Sequence, residues 1–136
     1  EDDVIFNENF TELLNNYITQ LSVDYDMLFI GNGCNFHIPN NELITHCNVY
    51  KKCLEPSMWG GDGATRCTDS YLVSKKCAIE LVDYISNINI TNNKIFKASD
   101  WWLNKVCRDK QFNVYWAEPT IVSQGSQNGF YASSQW

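Results

Sequence analysis

Three carboxylates open the chain, Glu1-Asp2-Asp3, and run directly into the apolar Val4-Ile5-Phe6. Consecutive acids at the edge of a β-branched run read as a strand that ends in a cation site. Hard divalent ions take oxygen ligands, and Mg²⁺ or Mn²⁺ is commonly held by one or two carboxylates together with a substrate's phosphates. Three residues alone also describe an acidic, solvated terminus, so the tripeptide takes its meaning from the rest of the chain. Cys34, His37, His46 and Cys47 carry metal-ligating atoms, but their spacing follows no zinc pattern, and surface or hydrogen-bonded histidines are the simpler reading. Trp59, beside Gly60-Gly61-Asp62-Gly63, would suit a platform for a sugar face, or equally a lid over a core.

Composition narrows the function classes. With 136 residues, 44% of them hydrophobic and 19% charged, the chain has the make-up of one globular domain. A net charge of −6 speaks against nonspecific nucleic-acid binding, which needs clustered Lys and Arg; Lys51-Lys52 and Lys75-Lys76 are too short for a polyanion groove. No apolar run approaches a membrane span, and no signal peptide is visible. The chain begins without Met, which reads as a processed product or a fragment. Its six cysteines include no Cys-x-x-Cys, so a zinc ribbon or thioredoxin-type site is unsupported. An even cysteine count beside the sequons Asn9-Phe10-Thr11 and Asn89-Ile90-Thr91 fits an oxidising lumen.

A cation site at a strand end needs a sheet behind it. Phe10, Leu13, Leu14, Tyr17, Ile18 and Leu21 follow the spacing of an amphipathic helix. Asp26 to Ile30, closed by Gly31-Asn32-Gly33, reads as a buried strand, so the opening predicts a strand-helix-strand crossover unit. Residues 32–66 show neither period and read as an irregular insertion, the length of which suggests function or disorder. Thr68 to Val73 reads as a strand, and Ser74 as the N-cap of a helix carrying Cys77, Ala78, Leu81, Val82 and Ile85. A second helix is predicted from Asp100, at its N-cap, to Lys110; Phe112, Val114 and Trp116 then alternate as a strand that Glu118-Pro119 ends. From Ser123 onward no period is clear. Cys77 and Cys107 fall on apolar helix faces as small core residues. Cys34, Cys47, Cys53 and Cys67 flank or occupy the irregular section, where disulfides would help most. Alternating strands and helices make the class α/β.

Taken in order, four segments resemble glycosyltransferase family 25, the lipooligosaccharide and procollagen galactosyltransferases. They are Glu1-Asp2-Asp3 before an apolar strand; Asp26-Met27-Leu28-Phe29-Ile30-Gly31; Tyr71-Leu72-Val73-Ser74-Lys75-Lys76-Cys77-Ala78; and Asp100-Trp101-Trp102-Leu103, continuing to Val114-Tyr115-Trp116-Ala117-Glu118-Pro119 and Gln124-Gly125-Ser126. The resemblance spans nearly the whole chain, and 34–66 is its least family-like part. Cys77 stands where the family pattern usually has Gly.

The resemblance implies a GT-A-like mixed sheet with flanking helices, with 1–136 the second half of such a domain and 32–66 an insertion on the acceptor side. It further implies a metal-dependent, inverting transfer of a hexose, galactose or glucose, from a UDP-sugar to a glycan or protein-linked hydroxyl. Glu1-Asp2-Asp3 becomes the motif that holds Mn²⁺ or Mg²⁺ on the donor diphosphate. Asp3 would be a metal ligand with Glu1 beside it, and Glu1 and Asp2 would also reach metal-bound water or the donor ribose. Asp100 matches the family's acidic residue near the acceptor and would be the base, a role that competes with simple helix capping. Gln124 and Ser126 would contact the diphosphate or close over it. Many GT-A enzymes complete the metal site with a C-terminal histidine, and this tail has none. Trp59 and Trp102 would meet the acceptor sugar, although adjacent Trp101 and Trp102 cannot share a helix face, so one of them is expected in the core.

Two rival readings stand beside the transferase: a sugar-binding module without catalysis, and a disulfide-stabilised interaction domain. A lectin has no need of acids at both Asp3 and Asp100. The expected partners are a nucleotide-sugar donor and a glycan or glycoprotein acceptor, and the secretory lumen of the ER or Golgi is slightly favoured over the cytoplasm.

Overall fold

Met27-Leu28-Phe29 is apolar at every position because both faces of its strand are covered. The computed structural model describes residues 3–55, 63–87 and 98–131. In it, β2 (Met27–Phe29) lies inside a four-stranded sheet with β3 (Val49–Lys51), β4 (Tyr71–Val73) and β5 (Val114–Ala117), in the order β3-β5-β2-β4. β5 is parallel to β2, while β4 and β3 are antiparallel to their neighbours. The protein is therefore mixed α/β, with a mixed-orientation sheet flanked by helices.

Alternation along the strands divides the core. Met27 and Phe29 join Val114 and Trp116 on one face, where Cys77 of α2 (Lys75–Asn87) and Leu103, Val106 and Cys107 of α3 (Ser99–Lys110) cover them. Leu28 and Ile30 join Ala117 on the other, covered by Tyr17 of α1 (Phe10–Gln20). Each Met, Phe, Val, Leu or Ile among them contributes about 1.5–3 kcal/mol by leaving water. The predicted stripe of α1 packs here through Phe10, Leu13, Leu14 and Leu21. Ile18, counted with that stripe, is 47% exposed. Ser74 caps α2 as expected, its hydroxyl accepting from the Cys77 N–H at 3.1 Å. The helix turns Cys77, Leu81 and Tyr84 to the core, while Val82 and Ile85 face outward. No helix among the described residues is long and apolar enough to cross a membrane.

Three expectations are corrected. β1 (Val4–Phe6) and β2 do not form a parallel crossover pair. β1 pairs antiparallel with β6 (Val122–Gln124), a strand without any clear period in the sequence. β6 in turn meets the end of β2 through a parallel bridge between Gly31 and Val122, and the Ile121 and Val122 N–H groups donate to the Ile30 carbonyl at 2.9 and 3.3 Å. A segment from the far end of the chain thus separates β1 from β2 and reverses their relation. The stretch 32–66 is not wholly irregular, since it supplies the edge strand β3 and short 3-10 turns at Gly33–Asn35 and Asn40–Glu42. Finally, α3 starts one residue earlier than predicted. Ala98 is its N-cap, and Asp100 lies in the first turn.

A buried ion pair ties the 32–66 stretch to the sheet. Arg66 is fully buried and donates through Nη2 to Glu118 Oε2 at 2.8 Å and through Nη1 to the Ala117 carbonyl at 2.7 Å. Its guanidinium also lies 4.4 Å from the centroid of the Trp116 ring. Glu118 accepts in addition from the Ile38 N–H at 3.2 Å and stands 3.1 Å from His37 Nδ1. Removing one partner of a buried pair strands the other charge. Arg66→Ala should therefore lose about 3–5 kcal/mol of unfolding free energy in urea denaturation. Arg66→Met combined with Glu118→Gln should lose less than Arg66→Ala. A single variant within about 1 kcal/mol of wild type would show that the pair does not secure this segment.

Candidate functional site

Because β2 and β5 are parallel, their carboxyl ends open on the same edge, and antiparallel β4 begins there with Tyr71 opposite Phe29. Ligands of open α/β sheets gather outside such carboxyl ends. Val122 is level with Gly31, so Gln124, at the end of β6, lies farther out on that side by roughly 7 Å at the rise of a strand.

Asp3 meets this tail. Its backbone carbonyl accepts from the Gly125 N–H at 2.7 Å. Its carboxylate Oδ2 accepts from the Ser126 hydroxyl at 2.5 Å and from the Ser126 N–H at 3.2 Å. The other oxygen, Oδ1, is shielded from solvent and has no hydrogen-bond partner. A shielded carboxylate oxygen without a donor is the state of an atom suited to a cation. The Ser126 hydroxyl, then its N–H, hold the Asp3 carboxyl below its ordinary range. Asp3 is accordingly ionised at neutral pH.

Gly125 is required by this closure. The chain doubles back so that the Phe130 and Tyr131 N–H groups donate to the Gly125 carbonyl at 2.9 and 3.2 Å. A Cβ at Gly125 would stand 2.1 Å from Tyr131 Cδ2 and 3.1 Å from the Asp3 carbonyl oxygen. Gln124 immediately precedes this turn. It is 7% exposed, at the end of β6, and its Oε1 accepts from the Gln127 amide. It braces the tail, and Ser126 is the residue of this trio that donates to the Asp3 carboxylate.

The second half of the site is the loop pair around Gly31 and Asp69. Asn32 Oδ1 and Ser70 Oγ are shielded there without hydrogen-bond partners. The sequence pattern passed over both residues, although Asn32 sits between the two glycines that close the β2 run. Asp100 stands at the start of α3, where its Oδ1 accepts from the Trp101 N–H at 2.8 Å. The Ser99 hydroxyl next to it is 3.3 Å from that of Thr68. Cys67 in this cluster is raised by burial first, then by its hydrogen bond to Cys34, and further by the charges of Asp100 and Asp69. Asp100 therefore stands beside the loop before β4, and no hydrogen bond among the described residues joins it to Asp3.

Other predicted residues are placed elsewhere. Trp102 packs against the core and meets Tyr84 edge-on at 6.0 Å, whereas Trp101 is 48% exposed. One indole packs against the core as expected, and it is Trp102. Cys34, His37 and Cys47 are engaged separately, with Cys67, Glu118 and the Val49 carbonyl. Among the described residues, no group of three or more His, Cys, Asp and Glu side chains is arranged to hold a metal ion. Glu1, Asp2 and Trp59 lie outside the described residues. No family model matches the chain, and no curated protein or solved structure matches it.

A carboxylate held below its unfolded value of about 3.9 stabilises the fold above that pH, and loses this contribution as pH falls through the lower folded value. Ser126→Ala removes the largest cause of the shift. In a ¹³C NMR titration of the carboxylates, the Asp3 midpoint should move up toward the ordinary aspartate value in that variant. An unchanged midpoint would mean that Ser126 does not hold Asp3.

Proposed function

We propose that the chain belongs to a metal-dependent inverting glycosyltransferase of GT-A-like architecture, transferring a hexose from a UDP-sugar to a hydroxyl of a glycan or glycoprotein. The observation that carries this reading is the pairing of Asp3 with Gly125 and Ser126, 123 positions away in the case of Ser126, on the carboxyl side of a parallel strand pair. An acidic motif and a Gln-Gly-Ser tail have no reason to meet unless they share a ligand or a purely structural closure. The unpartnered Oδ1 of Asp3 favours the ligand.

Asp3 Oδ1 would be the described ligand of Mn²⁺ or Mg²⁺, with the donor phosphates completing the shell and Glu1 adjacent in sequence. When bound, such an ion offsets the negative charge that builds on a departing nucleoside diphosphate. Ser126 fixes the second oxygen of Asp3, so the first points in one direction. Asp100 has the role of general base. Its carboxylate would accept the proton of the acceptor hydroxyl as that oxygen attacks the anomeric carbon from the face opposite the leaving group. Of its two oxygens, Oδ1 accepts from the Trp101 N–H, and Oδ2 is the atom assigned to this transfer. Trp101, exposed in the same helical turn, offers an indole to the acceptor sugar.

The test uses the protein that carries this chain, UDP-galactose and UDP-glucose, and Mn²⁺. Donor hydrolysis or transfer should appear with Mn²⁺ and disappear with EDTA. Asp100→Asn should keep nucleotide affinity and lose transfer by about 10²–10⁴-fold. Near wild-type turnover in Asp100→Asn would contradict the base assignment. Sugar binding without metal and without turnover would replace the transferase with a lectin-like module.

A further inference from the structure

Cys34 and Cys67 meet across the carboxyl edge of the sheet, although they are 33 positions apart, with their sulfurs 3.2 Å from one another. Cys34 lies in the turn after β2 and is exposed, while Cys67 lies in the loop before β4 and is half-buried. The two loops are already pressed together. A Cβ at Gly33 would stand 2.2 Å from the Arg66 carbonyl oxygen and 2.8 Å from Cys67 Cβ, so glycine permits the approach. Both cysteines hold left-handed backbone, with φ of 54° and 59°, a conformation that non-glycine residues keep only when their surroundings fix it.

The other four thiols have different neighbours. Cys77 and Cys107 are buried in the core, and the Cys107 thiol donates to Met27 Sδ at 3.8 Å. The Cys47 thiol donates to the Val49 carbonyl at 3.4 Å, and Cys53 Sγ accepts from the Glu55 N–H at 3.4 Å.

We infer that Cys34 and Cys67 form an oxidisable pair that closes to a disulfide and staples the 32–66 stretch at the edge of the candidate site. A disulfide needs sulfurs about 2.05 Å apart, so closure asks for little more than 1 Å of sulfur movement between two anchored loops. The oxidant is a small disulfide such as glutathione disulfide. The exposed Cys34 thiolate attacks one of its sulfurs, forming a mixed disulfide and releasing one glutathione thiolate. Cys67 then attacks the Cys34 sulfur and releases the second. Two protein thiols and one glutathione disulfide become one protein disulfide and two glutathione thiols, which take up the two protons. Burial and the neighbouring carboxylates raise Cys67, which makes Cys34 the entry point and Cys67 the resolving thiol. The inference does not depend on the transferase reading.

Closing a loop of this length is expected to raise the melting temperature by about 10 °C. The test incubates the chain with glutathione disulfide, alkylates remaining thiols under denaturing conditions, and maps the peptides by mass. Before alkylation the expected product is about 2 Da lighter than the reduced chain; after it, the digest carries a single Cys34–Cys67 cross-linked peptide and has Cys77 and Cys107 alkylated. Cys34→Ser, an exposed and conservative change, should fold as the reduced wild type does and lose both the cross-link and the thermal gain. Six alkylated thiols after oxidation, or Cys34 joined to Cys47 or Cys53, would overturn the pairing. An equal thermal gain in oxidised Cys34→Ser would overturn the staple.

Discussion

A single carboxylate, that of Glu118, holds both ends of the 32–66 stretch. From the start of that stretch it takes the Ile38 N–H and His37, and from its end it takes Arg66. Arg66 would not leave water for the sheet without that partner, because a buried guanidinium is costly unless it is paired and hydrogen-bonded. Burial draws Arg66 below its ordinary range and Glu118 opposes that pull, so the charge persists where it stands. Trp116 provides the wall. Phe36 stacks on its ring at 6.4 Å, Lys52 and Arg66 lie over it, and its Nε1–H donates to the Ala64 carbonyl at 2.8 Å. The same charge reaches across to α1. Tyr17, whose hydroxyl donates to the Pro119 carbonyl at 2.7 Å, is pushed up to about 12 by burial and by Glu118.

What that clamp secures is the edge where chemistry would occur. With Arg66 fixed, Cys67, Thr68, Asp69 and Ser70 are fixed against the turn after β2, and the first turn of α3 packs beside them through Ser99 and Asp100. On the other flank, β6 occupies the position beside the end of β2 and carries the Gly125-Ser126 closure out to Asp3. The candidate site is thus assembled from segments remote in sequence, each secured by backbone pairing or by a buried charge. Positions held in this way keep their geometry better than positions on a free loop.

Much of the frame was legible because it rests on local period. The α1 stripe, the doubly covered β2, the Ser74 cap and the alternation of Val114 and Trp116 all repeat within a few residues. β6 was not, since Val122-Ser123-Gln124 is too short and mixed to announce a strand, and its pairing is decided by a partner more than a hundred residues away. The crossover expectation failed for the same reason, because local order cannot reveal a strand inserted from the other terminus. The outward turn of Val82 and Ile85 reflects a choice between two apolar faces about 100° apart on one helix. In the candidate site, the association of Asp3 with Ser126 continues the pairing of β1 with β6, and no local period announces it. Gln124 was expected to meet the donor on the strength of the resemblance and Trp102 the acceptor; Gln124 accepts from Gln127 in the tail, and Trp102 packs against the core. Arg66 and Glu118 carried no signal in the sequence, as charges that find each other across fifty residues rarely do.

The central claim is that Asp3, closed by Ser126, is the cation-binding edge of this molecule. Paramagnetic broadening by sub-stoichiometric Mn²⁺ in the presence of UDP tests it without reference to turnover. The amide signals of Gly125 and Ser126 should broaden first, and Asp3→Asn should abolish that effect while leaving the rest of the spectrum in place. Broadening spread over the other acidic residues, or centred there and indifferent to Asp3→Asn, would contradict the account.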